Sequence, residues 1–132
     1  KAMTAFLKAN FDGLNNPVIT EAESGRIALE LVCGPSELRP GGFISGPTMM
    51  AIADAAGLMG VFSQTGMTAP AFTTALSIDF LRPARGGTLY ARADVVKFGR
   101  TLSVINVSLR GSDNDKPSAQ AVVTYATGAK PT

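Results

Sequence analysis

The sequence predicts an α+β domain in which an antiparallel six-stranded sheet curls around one long central helix, with a short N-terminal helix ahead of it. Three observations predict this. Residues 45–62 (S-G-P-T-M-M-A-I-A-D-A-A-G-L-M-G-V-F) read as a helix that is apolar on every side, as befits a rod buried along most of its length. Around it lie short segments in which apolar and polar residues alternate. The turns between them are too brief for helical crossovers, so neighbouring strands run antiparallel, and one such sheet with one helix makes a layered domain. Finally, 132 residues with 45% hydrophobic content and seven Phe supply one core, so 1–132 is a single domain.

The elements follow in order. Residues 2–11 carry Met3, Phe6, Leu7 and Phe11 at helical spacing, and Asp12-Gly-Leu-Asn-Asn-Pro17 ends that helix. Val18–Glu23 and Arg26–Val32 form a hairpin across Ser24-Gly25; in the second strand Ile27, Leu29 and Leu31 alternate with Ala28 and Glu30. Residues 34–44 are a loop rich in Pro and Gly. The long helix then starts: Ser45 or Gly46 can cap it, Pro47 suits a first turn that has no use for its missing N–H, and Ala and Met propagate it. Residues 63–70 close it. Strands follow at 72–81, where Leu76, Ile78 and Phe80 alternate with Ser77 and Asp79, then at 88–98, 101–110 and 118–127. The connections between them are the turn at 82–87, the tight Gly99-Arg100 link and the polar G-S-D-N-D-K turn at 111–116.

One residue does not fit a plain core helix. From residue 40 to residue 78 Asp54 is the only charged side chain. A lone carboxylate on a buried helix loses hydration worth several kcal/mol unless something compensates. It either faces a wet groove or accepts a structural hydrogen bond, or it is a reactive buried carboxylate. The helix start offers a second feature. Its free backbone N–H groups stabilise negative charge, including an oxyanion. Asp54 lies nine residues beyond Ser45, ~13 Å along the axis. One chain therefore cannot bring both features onto one carbonyl group, whereas two antiparallel copies of the helix side by side can. A site using both is shared by two subunits of a dimer.

Composition excludes several chemistries. There is no histidine, which rules out Ser-His-Asp and Cys-His catalysis and any His-ligated metal; no metal site is expected. The one cysteine, Cys33, allows no internal disulfide and points to a reducing compartment. With no signal-peptide pattern visible, a cytoplasmic location is expected. Residues 43–62 have the length of a membrane span, but Asp54, Pro47 and the glycines favour a buried helix, so no membrane partner is expected. Net charge is +2 overall, divided as −2 over residues 1–66 and +4 over residues 67–132. The basic half either attracts a polyanionic ligand or is ordinary solubilising charge.

Three stretches, S-G-P-T-M-M-A-I-A-D-A-A, T-T-A-L-S-I-D-F-L-R-P-A and K-F-G-R-T-L-S-V-I-N-V-S-L, together with the strand order, resemble the hotdog fold and within it the PaaI-like acyl-CoA thioesterases. The resemblance covers nearly the whole chain. The family pattern at the helix is His-Gly-Gly, four variable residues, Leu, a variable residue and Asp. Asp54 falls on the family's catalytic Asp and Gly46 on the first glycine, whose N–H polarises the thioester carbonyl. Ser45 stands for the His, Pro47 for the second Gly, and Arg39 where related enzymes often carry Asn. Thr73 falls where relatives have a Ser or Thr that helps place the water.

The resemblance implies hydrolysis of an acyl-CoA thioester by water activated on Asp54, with no cofactor because CoA is part of the substrate. A thiolate leaves without strong acid assistance, so the missing His is tolerable. The Ser45 hydroxyl either donates to the oxyanion or caps the helix. Arg82, Arg85, Lys97 and Arg100 stand where hotdog enzymes surround the CoA phosphates, with edge charge in solvent as the other reading. Arg39 either clamps the substrate or pairs with a carboxylate such as Glu37, and Phe43, with Met49 or Met50, lines the acyl pocket or is plain core. The family is commonly tetrameric, so a homodimer at least, and a homotetramer, is expected. The alternative, motivated by Ser45, Pro47 and Arg39, is a non-catalytic acyl-CoA or small-ligand binding protein. About sixteen residues precede the first strand, too few for a helix-turn-helix, and no nucleic-acid partner is expected.

Overall fold

The computed structural model describes residues 2–10, 17–67 and 70–127. The elements are α1 (Ala2–Asn10), β1 (Val18–Glu23), β2 (Arg26–Val32), β3 (Leu38–Arg39), β4 (Phe43–Ile44), α2 (Gly46–Thr65), β5 (Ala71–Phe80), β6 (Thr88–Phe98), β7 (Leu102–Gly111) and β8 (Ala119–Thr127). Six strands form one antiparallel sheet in the order β1-β2-β6-β7-β8-β5. The sheet curls around α2, which packs on β2, β5, β6, β7 and β8. This is the arrangement implied by the hotdog resemblance. Period-two patterning decides the faces: Ile27, Leu29 and Leu31 of β2, Leu89, Ala91 and Ala93 of β6, and Ile105, Val107 and Leu109 of β7 are buried against the helix. On α1, Leu7 is fully buried and Phe6 meets Phe62 of α2 edge to face at 5.2 Å. Phe11 and the helix-ending residues 12–16 lie outside the described residues.

Three local expectations need correction. The loop at 34–44 contains a two-rung ladder, Leu38↔Ile44 and Arg39↔Phe43. It is too short to show periodicity, and its turn is made by Gly41 and Gly42 at φ 95 and 78. The helix does not close at residue 63 but runs to Thr65. Within that last turn the Ser63 and Thr65 hydroxyls are satisfied on the Gly60 and Val61 carbonyls at 2.6 and 3.3 Å. Gly66, at φ 79, then caps it, its N–H donating to Phe62 O at 2.8 Å.

The third correction concerns burial. α2 is not covered all round within the chain. Pro47 and Met50 are exposed, and Ala51, Asp54 and Leu58 are half-buried. These positions share one stripe at helical spacing. Beside the stripe lies β5, a ten-residue edge strand with no partner on its outer side among the described residues. Among the described residues, no helix is long and apolar enough to cross a membrane.

Cys33 sits half-buried after β2. Burial, reinforced by the negative charge of Glu37 and opposed by a backbone hydrogen bond at Leu89, pushes its thiol from an ordinary 9.0 up to about 11. Because the folded pKa is raised, the unfolded chain loses the proton first, and stability falls as pH rises from 9.0 through about 11. Urea unfolding at pH 8, 9.5 and 11 is expected to show this decline and to show it reduced in Cys33→Ala. An identical decline in both proteins would contradict it.

Candidate active site

The start of α2 carries one free donor. Ser45, at φ −69 and ψ 150, caps the helix: its oxygen accepts from the Thr48 N–H at 3.2 Å while its hydroxyl donates to Thr48 Oγ1 at 2.7 Å. The Met49 N–H donates to Ser45 O at 3.1 Å, and Pro47 has no N–H. Of the first turn, only the Gly46 N–H has no acceptor among the described residues. The side chain of Ser45 is engaged by the cap, and Phe80 from β5 stands beside Gly46.

Asp54 lies two turns further on. It is half-buried, not enclosed, within the chain. Its Oδ1 accepts from Thr73 Oγ1 at 2.7 Å and from the Tyr125 hydroxyl at 3.1 Å, and the same phenol donates to Asp54 O at 2.6 Å. Oδ2 accepts nothing among the described residues. Thr73 and Tyr125 are cross-strand partners on β5 and β8, and β5 bulges immediately after Thr73, between Thr73 and Ala75. The bulge aims Thr73 at the helix. Tyr125 is 1% exposed. Burial first, then the charge and hydrogen bond of Asp54, hold its phenol far above the usual range, so it remains a donor at any pH of interest. Sequence reading missed Tyr125. The available signal was the inward phase it shares with Ala121 and Val123, which says which face it points to but not what it meets there.

Gly57, one turn after Asp54, makes this contact sterically allowed. A Cβ there would stand 2.5 Å from the Tyr125 hydroxyl and 3.1–3.2 Å from its ring. Gly57→Ala gains about 1 kcal/mol of helix propensity. It loses about 1–3 kcal/mol to overpacking and a further 0.5–1.5 kcal/mol in hydrogen bonds. The losses win, and urea unfolding is expected to show a net destabilisation of about 1–3 kcal/mol. A variant as stable as the parent would mean that the buried phenol moves aside freely.

The basic residues separate into two groups. Arg39 pairs with Phe43 in the β3–β4 ladder, and the Arg85 guanidinium stacks 4.0 Å over the Phe43 ring. The Ile44 N–H donates to Ala84 O at 2.9 Å, which ties this cluster to the start of α2. Arg39 has no ion pair among the described residues. Glu37, 3% exposed, is turned instead onto its own loop, accepting from the Gly34 N–H and the Ser36 hydroxyl at 2.6 Å each. Arg82 donates to Pro117 O and so ties the 82–87 turn to the approach to β8. Lys97 and Arg100 are exposed at the other end of β6, eleven residues or roughly 35 Å away, where Ser103 pairs with Tyr125. A single chain does not bring all of them together. A groove of about 310 Å³ lined by Tyr90, Arg92, Ser108 and Arg110 opens on the outer face of the sheet, away from Asp54.

Comparison with known proteins bears on this geometry. Residues 41–118 match the model of the thioesterase superfamily. A crystal structure of a protein assigned as a thioesterase from Silicibacter sp. TM1040 is 34% identical, with 98% of this chain and 90% of that chain covered and a TM-score of 0.85. A thioesterase family protein from Silicibacter pomeroyi is 24% identical over 95% of this chain and 94% of its own, TM-score 0.84. A hypothetical thioesterase from Streptococcus pneumoniae TIGR4, solved with coenzyme A, is 19% identical over 98% and 99%, TM-score 0.82. Against curated proteins no match is found.

Proposed function

This chain belongs to the thioesterase superfamily, and from that premise we propose that it is a PaaI-like hydrolase of acyl-CoA thioesters whose site is shared between two subunits. Asp54 takes a proton from water as the water oxygen attacks the thioester carbonyl carbon. The Gly46 N–H of the other subunit holds the oxyanion. The tetrahedral intermediate collapses with loss of the CoA thiolate, whose conjugate thiol has a pKa near ~8.5, and the proton returns from Asp54 to it.

The observation that carries this reading is the position of Asp54. It is the only charge in an otherwise apolar open stripe, held at one oxygen by two hydroxyls. The free N–H of its own helix lies eight residues away, ~12 Å along the axis. A two-fold pairing of α2 with its copy, continued by the open edge of β5, covers the stripe and sets the partner subunit's Asp54 near Gly46. The same pairing brings the Lys97 and Arg100 end of one subunit toward Arg39, Phe43 and Arg85 of the other, a cationic and aromatic surround suited to CoA phosphates. Binding of coenzyme A by the Streptococcus pneumoniae protein supports that substrate class. A homotetramer is the expected assembly, and the single free Cys33 suits a cytoplasmic setting.

A hydrolysis screen over short, medium, long and aryl acyl-CoAs, run alongside sedimentation velocity, tests the proposal. Turnover of at least one class by a dimer or larger assembly is expected. Tight binding without turnover across the panel would make this a binding protein, a reading that the single free donor at the start of α2 favours. Full turnover by a monomer would remove the shared site.

A further inference from the structure

We propose that Tyr125, admitted by the missing side chain of Gly57, is the positioning residue that presents Oδ2 of Asp54 to the reacting water. The inference rests on the reading of Asp54 as the base. Tyr125 reaches the helix from a strand 71 residues away in sequence and meets Asp54 at two atoms, the carbonyl at 2.6 Å and Oδ1 at 3.1 Å. One phenolic proton serves both, so the same group registers the backbone of α2 and the carboxylate it carries. Thr73 donates to that same Oδ1 at 2.7 Å. Two donors on one oxygen stop the carboxylate from rotating and leave the other oxygen open. A buried phenol held by its ring cannot follow the carboxylate into another rotamer, so the orientation is set before substrate arrives. Gly57 is required because any Cβ there would occupy the space of the hydroxyl.

Tyr125→Phe keeps the ring and removes only the donor. With the oligomer intact and KM nearly unchanged, kcat is expected to fall about 10–100-fold. A loss confined to kcat, with KM kept, is what a misdirected base gives and a merely structural residue does not. Among the described residues, Tyr125 of β8 is the titratable group facing Asp54; Thr73 of β5 is neutral, and α2 carries no other charge. A purely structural Tyr125 would lower the melting temperature and leave kcat in place, and that result overturns the inference. If Tyr125→Phe folds poorly, Gly57→Ala, whose Cβ displaces the hydroxyl, replaces it. The kcat is then expected to fall with KM nearly unchanged, and an unchanged kcat again overturns the inference. Asp54→Ala run in parallel separates the two readings: full activity in Asp54→Ala removes the base itself. Loss there with a wild-type rate in Tyr125→Phe removes only the positioning role.

Discussion

Asp54→Asn is expected to lower acyl-CoA hydrolysis by roughly 10²–10⁴-fold, the range for loss of a positioned general base, while the protein stays folded and oligomeric. The substitution is nearly isosteric. Its amide oxygen still accepts from Thr73 and Tyr125, so the two hydrogen bonds on Oδ1 survive. What disappears is the negative charge, which sits half-buried in a stripe otherwise made of Pro47, Met50, Ala51 and Leu58. Removing an unpaired charge from such a surface relieves desolvation, so stability should be unchanged or higher. Loss of rate with gain or retention of stability is the signature of a group kept for chemistry. It is read by steady-state kinetics beside thermal unfolding. Wild-type turnover in Asp54→Asn would remove the assignment of the base.

Gly46→Pro should cost about 10²–10³ in kcat, the loss seen when one oxyanion donor is removed, and Gly46→Ala far less. The comparison reads the donor because the two variants share one strain, each setting a Cβ ahead of Pro47 in helical backbone. Ser45, at φ −69 and ψ 150, already holds the conformation required ahead of a proline. Gly46 is the first helical residue, where Pro is accommodated, and its N–H has no acceptor to lose among the described residues. A Cβ there meets the Phe80 ring at 3.5 and 3.7 Å, ordinary contact. Pro deletes the N–H and Ala keeps it, so a difference between the two reports the donor. Mixing the two inactive proteins, Asp54→Asn and Gly46→Pro, adds a test of the shared site. Each mixed dimer has one intact site, and random exchange should restore about a quarter of wild-type activity. No recovery after demonstrated subunit exchange would place both groups in the same chain.

These effects were legible in the sequence to unequal degrees. Asp54 and Gly46 were visible because each stands out locally, one as the only charge in a long apolar run, the other at the junction of a Gly-rich lead-in and a helix. The cap role of Ser45 was one of two readings of a single hydroxyl; its oxygen accepts from the Thr48 N–H and its proton goes to Thr48 Oγ1. Glu37 offered a ready partner for Arg39 two residues away, yet on a tight loop its carboxylate is better satisfied by the Gly34 N–H and the Ser36 hydroxyl. Short-range proximity misled there because backbone geometry, not sequence distance, sets where a side chain points.

The sequence by itself determined the six strands of the main sheet, the central helix and its start, the inward and outward faces of the strands, and the isolation of one carboxylate. Those follow from side-chain periodicity, turn residues and capping, all of which act within a few positions along the chain. Only the tertiary structure decided that β5 lies at the edge beside β8, that a bulge turns Thr73 toward the helix, and that Tyr125 enters the gap at Gly57 to grip Asp54. Alternation says which face a residue occupies. Which neighbour waits across that face is decided by strand order and register, and these are settled by contacts between residues far apart in the chain.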